Sequence, residues 1–168
     1  LRPFLSTSAK SPGLAAGALV RRDSLAVVGE GLPLIGSVAV GAFAVVGEIE
    51  SLGRRAVALQ LDVGDSKSFA GFAASVKRTL SEGFGRERFD HLVNNAGVGV
   101  YGSIAETTEA QFDELVNVQF KGVFFLTQAL LPLIADGGRI VNVSSGLTRF
   151  ALPGYAAYRE TALAKLDE

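Results

Sequence analysis

Apolar positions recur in two alternating rhythms between residues 54 and 145. Residues 54–63 form a short apolar run between Gly53 and Gly64, which predicts a buried strand. Phe69, Phe72, Ala73, Val76 and Leu80 follow at helical spacing within residues 65–82, and Gly83 and Gly85 end that helix. Residues 89–97 read as a second short strand running into a glycine-containing turn. Thr108 and Gln111 match a capping box, in which each side chain satisfies the other residue's backbone N–H. A long helix is predicted from there to about residue 134, with Leu115, Val123, Leu126 and Leu130 among its apolar positions. Pro132 predicts a kink or break near its end, and Asp136, Gly137 and Gly138 close it. Residues 138–145 read as a third strand, and 156–168 have helical composition.

Strands alternating with helices predict the α/β class, a parallel sheet covered by helices. Ligands in such sheets bind beyond the carboxyl ends of the strands. The polar residues ending these three strands are Asp62, the pair Asn94 and Asn95, and the pair Ser144 and Ser145.

Residues 1–50 are different: rich in Gly and Ala, with no clear period. Within them, 25–46 hold one charge, Glu30, and are long enough to span a bilayer. Glu30, Pro33 and the glycines favour buried strands of the same sheet instead, so no membrane contact is expected. The chain has 168 residues, the size of one domain, and no cysteine, which excludes disulfides, cysteine-held zinc and iron–sulfur clusters. A single histidine, His91, excludes a multi-histidine metal site; no metal is expected, and His91, early in its strand, reads as structural. The net charge of −1 gives no sign of a phosphate-neutralising surface, so no nucleic-acid partner is expected. Position 1 is not methionine, and the chain reads as a fragment or a processed product.

Four groups of residues together resemble the short-chain dehydrogenase/reductase family: Asp62-Val63, Asn94-Asn95-Ala96-Gly97, Asn142-Val143-Ser144-Ser145, and Pro153-Gly154-Tyr155-Ala156-Ala157-Tyr158. The resemblance covers about residues 45–158. It implies a Rossmann-type doubly wound parallel sheet with helices on both faces, incomplete at the C-terminus. Residues 1–168 would form one partial NAD(P)-binding domain, with 1–50 a divergent N-terminal part. The implied activity is hydride transfer between NAD or NADP and a small alcohol or carbonyl substrate, in a cytoplasmic homo-oligomer. Asp62 and Val63 would contact the adenine. Asn94, Ala96 and Gly97 would line the adenosine ribose and hold neighbouring strands together. Ser145 would hydrogen-bond the substrate oxygen, and Tyr158 would be the general acid/base. Tyr155 competes for that role but stands too close to Ser145 for the family pattern.

The chemistry suits these residue types, because a ketone that accepts hydride needs a proton for its developing alkoxide. A phenol ionises near pH 10 in water, and a neighbouring cation brings that down towards neutrality. The family supplies the cation as a lysine four residues after the tyrosine. Here that position is Ala162. Lys165 lies seven residues on, ~10 Å along the axis, which reads as one turn too far. On this reading Ala162→Lys would raise activity.

Three further departures are visible. The family's glycine-rich phosphate turn has only Gly13 and Gly17 in its expected place, and the near-miss Gly29-Glu30-Gly31 carries a charge that repels pyrophosphate. The family's catalytic asparagine position is Gln119. The sequence stops at Glu168, before the family's substrate loop. A non-catalytic fragment that keeps the fold core and a dimerisation surface is therefore the alternative reading.

Overall fold

A computed structural model describes residues 23–29, 34–38 and 42–165, with side chains from residue 46 onward. Ten main elements follow in the order β1 (Asp23–Gly29), β2 (Leu34–Val38), α1 (Ala42–Ser51), β3 (Ala56–Asp62), α2 (Phe69–Phe84), β4 (Phe89–Asn94), α3 (Glu109–Val116), α4 (Gly122–Leu130), β5 (Ile134–Asn142) and α5 (Ala156–Ala164).

The five strands lie in the spatial order β3-β1-β2-β4-β5. β2 runs parallel to β4, and β4 to β5, while β1 is antiparallel to both β2 and β3. Four strands therefore point one way and only β1 is reversed. Only four residues of sequence separate β1 from β2, and so short a connection joins antiparallel strands only. Doubly wound folds place strands in the order 3-2-1-4-5. The order here departs from that one in the hairpin, whose strands β1 and β2 stand in reversed chain order. The stretch 25–46, long enough to cross a bilayer, holds these two strands and the start of α1. Among the described residues no helix is long and apolar enough to cross a membrane.

Helices cover both faces of the sheet because β3 alternates. Ala56 and Ala58 pack on Val46 and Ile49 of α1, while Leu59 and Leu61 belong to the main core. That core is built on the buried stripe Phe69, Phe72, Val76 and Leu80 of α2 and on Leu126 and Leu130 of α4. Left-handed Gly85 ends α2, where Arg86 N donates to Leu80 O at 3.0 Å.

Thr108 and Gln111 form the expected capping box. The helix that follows is not one helix. A π turn (Asn117–Lys121) separates α3 from α4, and a 3₁₀ turn containing Pro132 leads into β5 at Ile134. The predicted helix to residue 134 thus ends at Leu130, and β5 starts before the glycines that were expected to precede it. Gly137 has a φ of +79° inside β5, near an irregularity in the pairing with β4. The β5 pairing also resumes at Arg139–Asn142, which fulfils the third predicted strand.

Candidate functional site

Because β2, β3, β4 and β5 share one direction, their last residues share one edge. Asp62 ends β3, Asn94 ends β4 and Asn142 ends β5. Gly29, by contrast, pairs with Ala56 at the start of β3, so β1 ends at the opposite edge. The rest of the near-miss glycine turn, Glu30 and Gly31, lies outside the described residues. The other stretch considered, residues 7–17, lies outside the described residues.

A pocket of about 570 Å³ opens at this edge. Its floor is the segment from Asn95 to Gly99, and its walls include Ser144, Ser145, Gln119, Tyr155, Tyr158 and Lys165. Of the seven site residues expected, Ala96, Gly97, Ser145 and Tyr158 line it. Asp62, Val63 and Asn94 do not.

Each of those three has a structural occupation. The Asp62 carboxylate accepts the Gly64 backbone N–H at 2.8 Å, closing the turn after β3. Val63 is 2% exposed and packs in the core, so its side chain is withdrawn from any ligand. A Cβ at Gly122 would collide with the Val63 carbonyl, so α4 sits directly against this residue. Asn94 is buried and donates to Thr127 Oγ1 at 3.1 Å and to Asn142 Oδ1 at 2.8 Å. It ties β4 to α4 and β5, the strand-holding half of its expected role.

Tyr158 is anchored by packing against the buried cluster of Val98, Leu115 and Val118. Its ring stands edge-on to Tyr155 at 6.1 Å, and Tyr155 stands edge-on to Tyr101 at 5.3 Å. Both candidate tyrosines therefore line the pocket. Ser145 Oγ accepts the Leu147 N–H at 3.3 Å and begins a short 3₁₀ turn. Ser144 Oγ donates to the Ala162 carbonyl at 2.6 Å and fastens α5 to the end of β5.

Two further buried groups line the pocket, Gln119 and Lys165. Gln119 lies in the π turn, and its amide donates to the Val98 carbonyl at 3.0 Å. The widened turn brings this side chain inward, where π turns often serve functional sites. Lys165, seven residues after Tyr158, is 2% exposed, lines the pocket and donates to the Ala96 carbonyl at 2.9 Å. Burial lowers its pKa to about 8.

A family model described as short chain dehydrogenase matches residues 25–162. The chain belongs to the short-chain dehydrogenase family. Over 154 residues it is 34% identical to an uncharacterized oxidoreductase of Methylorubrum extorquens, covering 92% of this chain and 58% of that protein. Over 111 residues it is 40% identical to a short chain dehydrogenase of Monascus purpureus, covering 64% and 36%. The solved angucycline C-6 ketoreductase LanV with bound NADP superposes with a TM-score of 0.72 at 38% identity, covering 77% of this chain and 52% of that one. A short chain dehydrogenase from Burkholderia cenocepacia in complex with NADP gives a TM-score of 0.66 at 37% identity, covering 75% and 49%. This chain thus spans about half the length of the short-chain dehydrogenases it matches.

Part of the site fits a dinucleotide. A Cβ at Gly97 or Gly99 would meet no protein atom within 4 Å, so the two glycines leave open space on the pocket floor. One cation and several hydroxyls surround that space.

Proposed function

We propose that this chain acts as an NAD(P)-dependent oxidoreductase on a small carbonyl or alcohol substrate. The observation that carries the reading is the convergence of Ser145, Tyr158 and buried Lys165 on one pocket at the carboxyl edge of the sheet. The family membership and the NADP-bound relatives support it. Ala96 and Gly97 would hold the ribose side of NAD or NADP, and Asp62 and the Val63 backbone the adenine side. When bound, the nicotinamide supplies or takes the hydride.

The chain's own residues handle the oxygen. The Ser145 hydroxyl donates to the substrate carbonyl and orients it. The Tyr158 hydroxyl gives its proton to the oxygen as negative charge develops there, which lowers the barrier where charge appears. In oxidation the same phenol takes the proton back. The reading of the chain as a non-catalytic fragment loses its main ground, because a buried lysine faces the pocket despite Ala162.

The domain reading remains one partial Rossmann-type unit over residues 1–168, with a divergent part over 1–50. A cytoplasmic homo-oligomer is part of the proposal. Phe112, Phe120 and Phe124 are 45%, 41% and 47% exposed along α3, the π turn and α4, an apolar strip suited to a second copy. Sedimentation velocity checks this, and a strictly monomeric chain would remove it.

The deciding experiment is titration with NADH and NADPH, followed by nicotinamide fluorescence. Saturable binding supports the reading and selects the cofactor. No binding by a chain that is folded by circular dichroism would overturn it.

A further inference from the structure

A second groove, of about 610 Å³, lies beside the reacting pocket. Ile104, Ala105, Ala151 and Pro153 are among its walls, and its charged side chains, Arg159 and Glu160, pair with each other at 3.0 Å. Among the described residues, Leu152 and Tyr155 line both spaces, and no other residue does.

These two residues are the ends of one tight turn. Leu152-Pro153-Gly154-Tyr155 has proline in second place and glycine in third, where φ is +82°, the pattern of a type II turn. The Tyr155 N–H donates to the Leu152 carbonyl at 3.3 Å and closes it. A turn so closed holds its first and last residues side by side. The facing loop braces it. Gly102 pairs with Tyr155 in an isolated parallel bridge, and the Gly102 N–H donates to the Gly154 carbonyl at 2.8 Å. The Tyr101 ring lies on Gly154, where a Cβ would strike it, and stands edge-on to Tyr155 at 5.3 Å. On the pocket side Tyr155 stands edge-on to Tyr158 at 6.1 Å. Leu152 and Tyr155 thus form a wall that is held from both sides.

We infer that Leu152 and Tyr155 are specificity-determining residues: they end the reacting pocket, and the substrate is a carbonyl compound whose apolar group, about one ring in size, stops against them. The lining supports that class. Val98, Leu147 and Leu152 supply apolar contact, and Tyr155 offers an aromatic partner for an aryl group. The same 570 Å³ holds the nicotinamide as well as the substrate, which leaves no room for a long apolar body. Such a body finds room in the second groove only by crossing the wall. The inference rests on the proposed reaction for its substrate, but its test requires neither cofactor nor turnover.

The chain has no tryptophan, so the fluorescent naphthyl ketone prodan can be followed in it without overlapping protein emission. Its fused rings exceed the one-ring limit. Leu152 is 48% exposed, so Leu152→Ala lowers the wall without opening the core. This variant is expected to bind prodan on the order of tenfold more tightly than the parent, as the further ring leaves water in the second groove. A leucine that merely lines the pocket gives the opposite sign, because truncation removes apolar contact. Ala105 lines the second groove alone. Ala105→Phe narrows that groove, and is expected to cancel the gain in the double variant and to change nothing in the parent. Unchanged or weaker prodan binding by Leu152→Ala, folded by circular dichroism, would overturn the inference. Loss of the parent's prodan binding on Ala105→Phe would overturn it too, because the ketone would then occupy the groove with the wall intact. Tighter binding in a chain that takes up neither NADH nor NADPH would sink the proposed activity and leave the wall standing. Uptake of NADPH with unchanged prodan affinity would do the reverse.

Discussion

Replacing Lys165 with methionine exposes the largest electrostatic cost in the described fold. The lysine is 2% exposed, and burial brings its pKa from 10.5 to about 8. That difference corresponds to about 3 kcal/mol against holding the charged form inside the fold. The sign follows from proton counting. Between about pH 8 and 10.5 the unfolded chain holds the lysine proton and the folded chain has released it, so stability rises with pH through that window. Below pH 8 the full cost is present, and above 10.5 it is gone. Methionine has a similar length and no charge, so it removes the cost at every pH. It also leaves the buried Ala96 carbonyl without its donor, worth about 1–2 kcal/mol of destabilisation. At pH 7 the variant should be more stable than the parent by about 1–2 kcal/mol, and above pH 10 less stable by a similar amount. Urea unfolding followed by far-ultraviolet circular dichroism at the two pH values measures the difference, and the other titrating groups cancel between the two chains. A stability difference that stays constant across the window would show that the lysine is not desolvated, and the reasoning would fail.

Three other substitutions test separate parts of the structure. Tyr158→Phe should abolish turnover and leave the affinity for NADPH nearly unchanged; turnover at the parental rate would remove Tyr158 from the chemistry. Gly122→Ala places a methyl against the Val63 and Asn117 carbonyls, so a loss of about 2 kcal/mol or more in urea unfolding is expected, and a neutral result would contradict the close approach of α4 to β3. Ala162→Lys forces a long charged side chain into a closed position and should destabilise by about 3 kcal/mol with no gain in turnover; increased activity would return the cation's role to position 162.

Much of the middle of the chain was legible because its signals are local. The stripe Phe69, Phe72, Val76 and Leu80 repeats at the helical period and lies buried along one face of α2. The Thr108–Gln111 capping box needs only residues three apart. Asp62, Asn94 and Ser145 were located near the ligand-binding edge because they end apolar runs of strand length. The break between α3 and α4 was not legible in the same way. Gly122, where α4 begins, lies against Val63, a contact across 59 positions of sequence that no local period reports.

The direction of β1 shows the same division. Its apolar composition marked a buried strand, but composition carries no information on direction. The short link to β2 and the pairing with β3 decide that, and they place Gly29 at the edge away from the pocket. Position along α5 suggested that Lys165 was out of reach, since axial rise was the only distance the sequence supplied. That it faces the pocket and not solvent was decided by the tertiary structure, which buries it with its ammonium donating to the Ala96 carbonyl. What the sequence alone determined are the periods, the caps and the residues that end each strand, all set by neighbours within one or two turns. Which of those residues share a pocket was left to packing: Ala96, Ser145, Tyr158 and Lys165 meet only because three parallel strands and α5 bring separate stretches of chain to one edge.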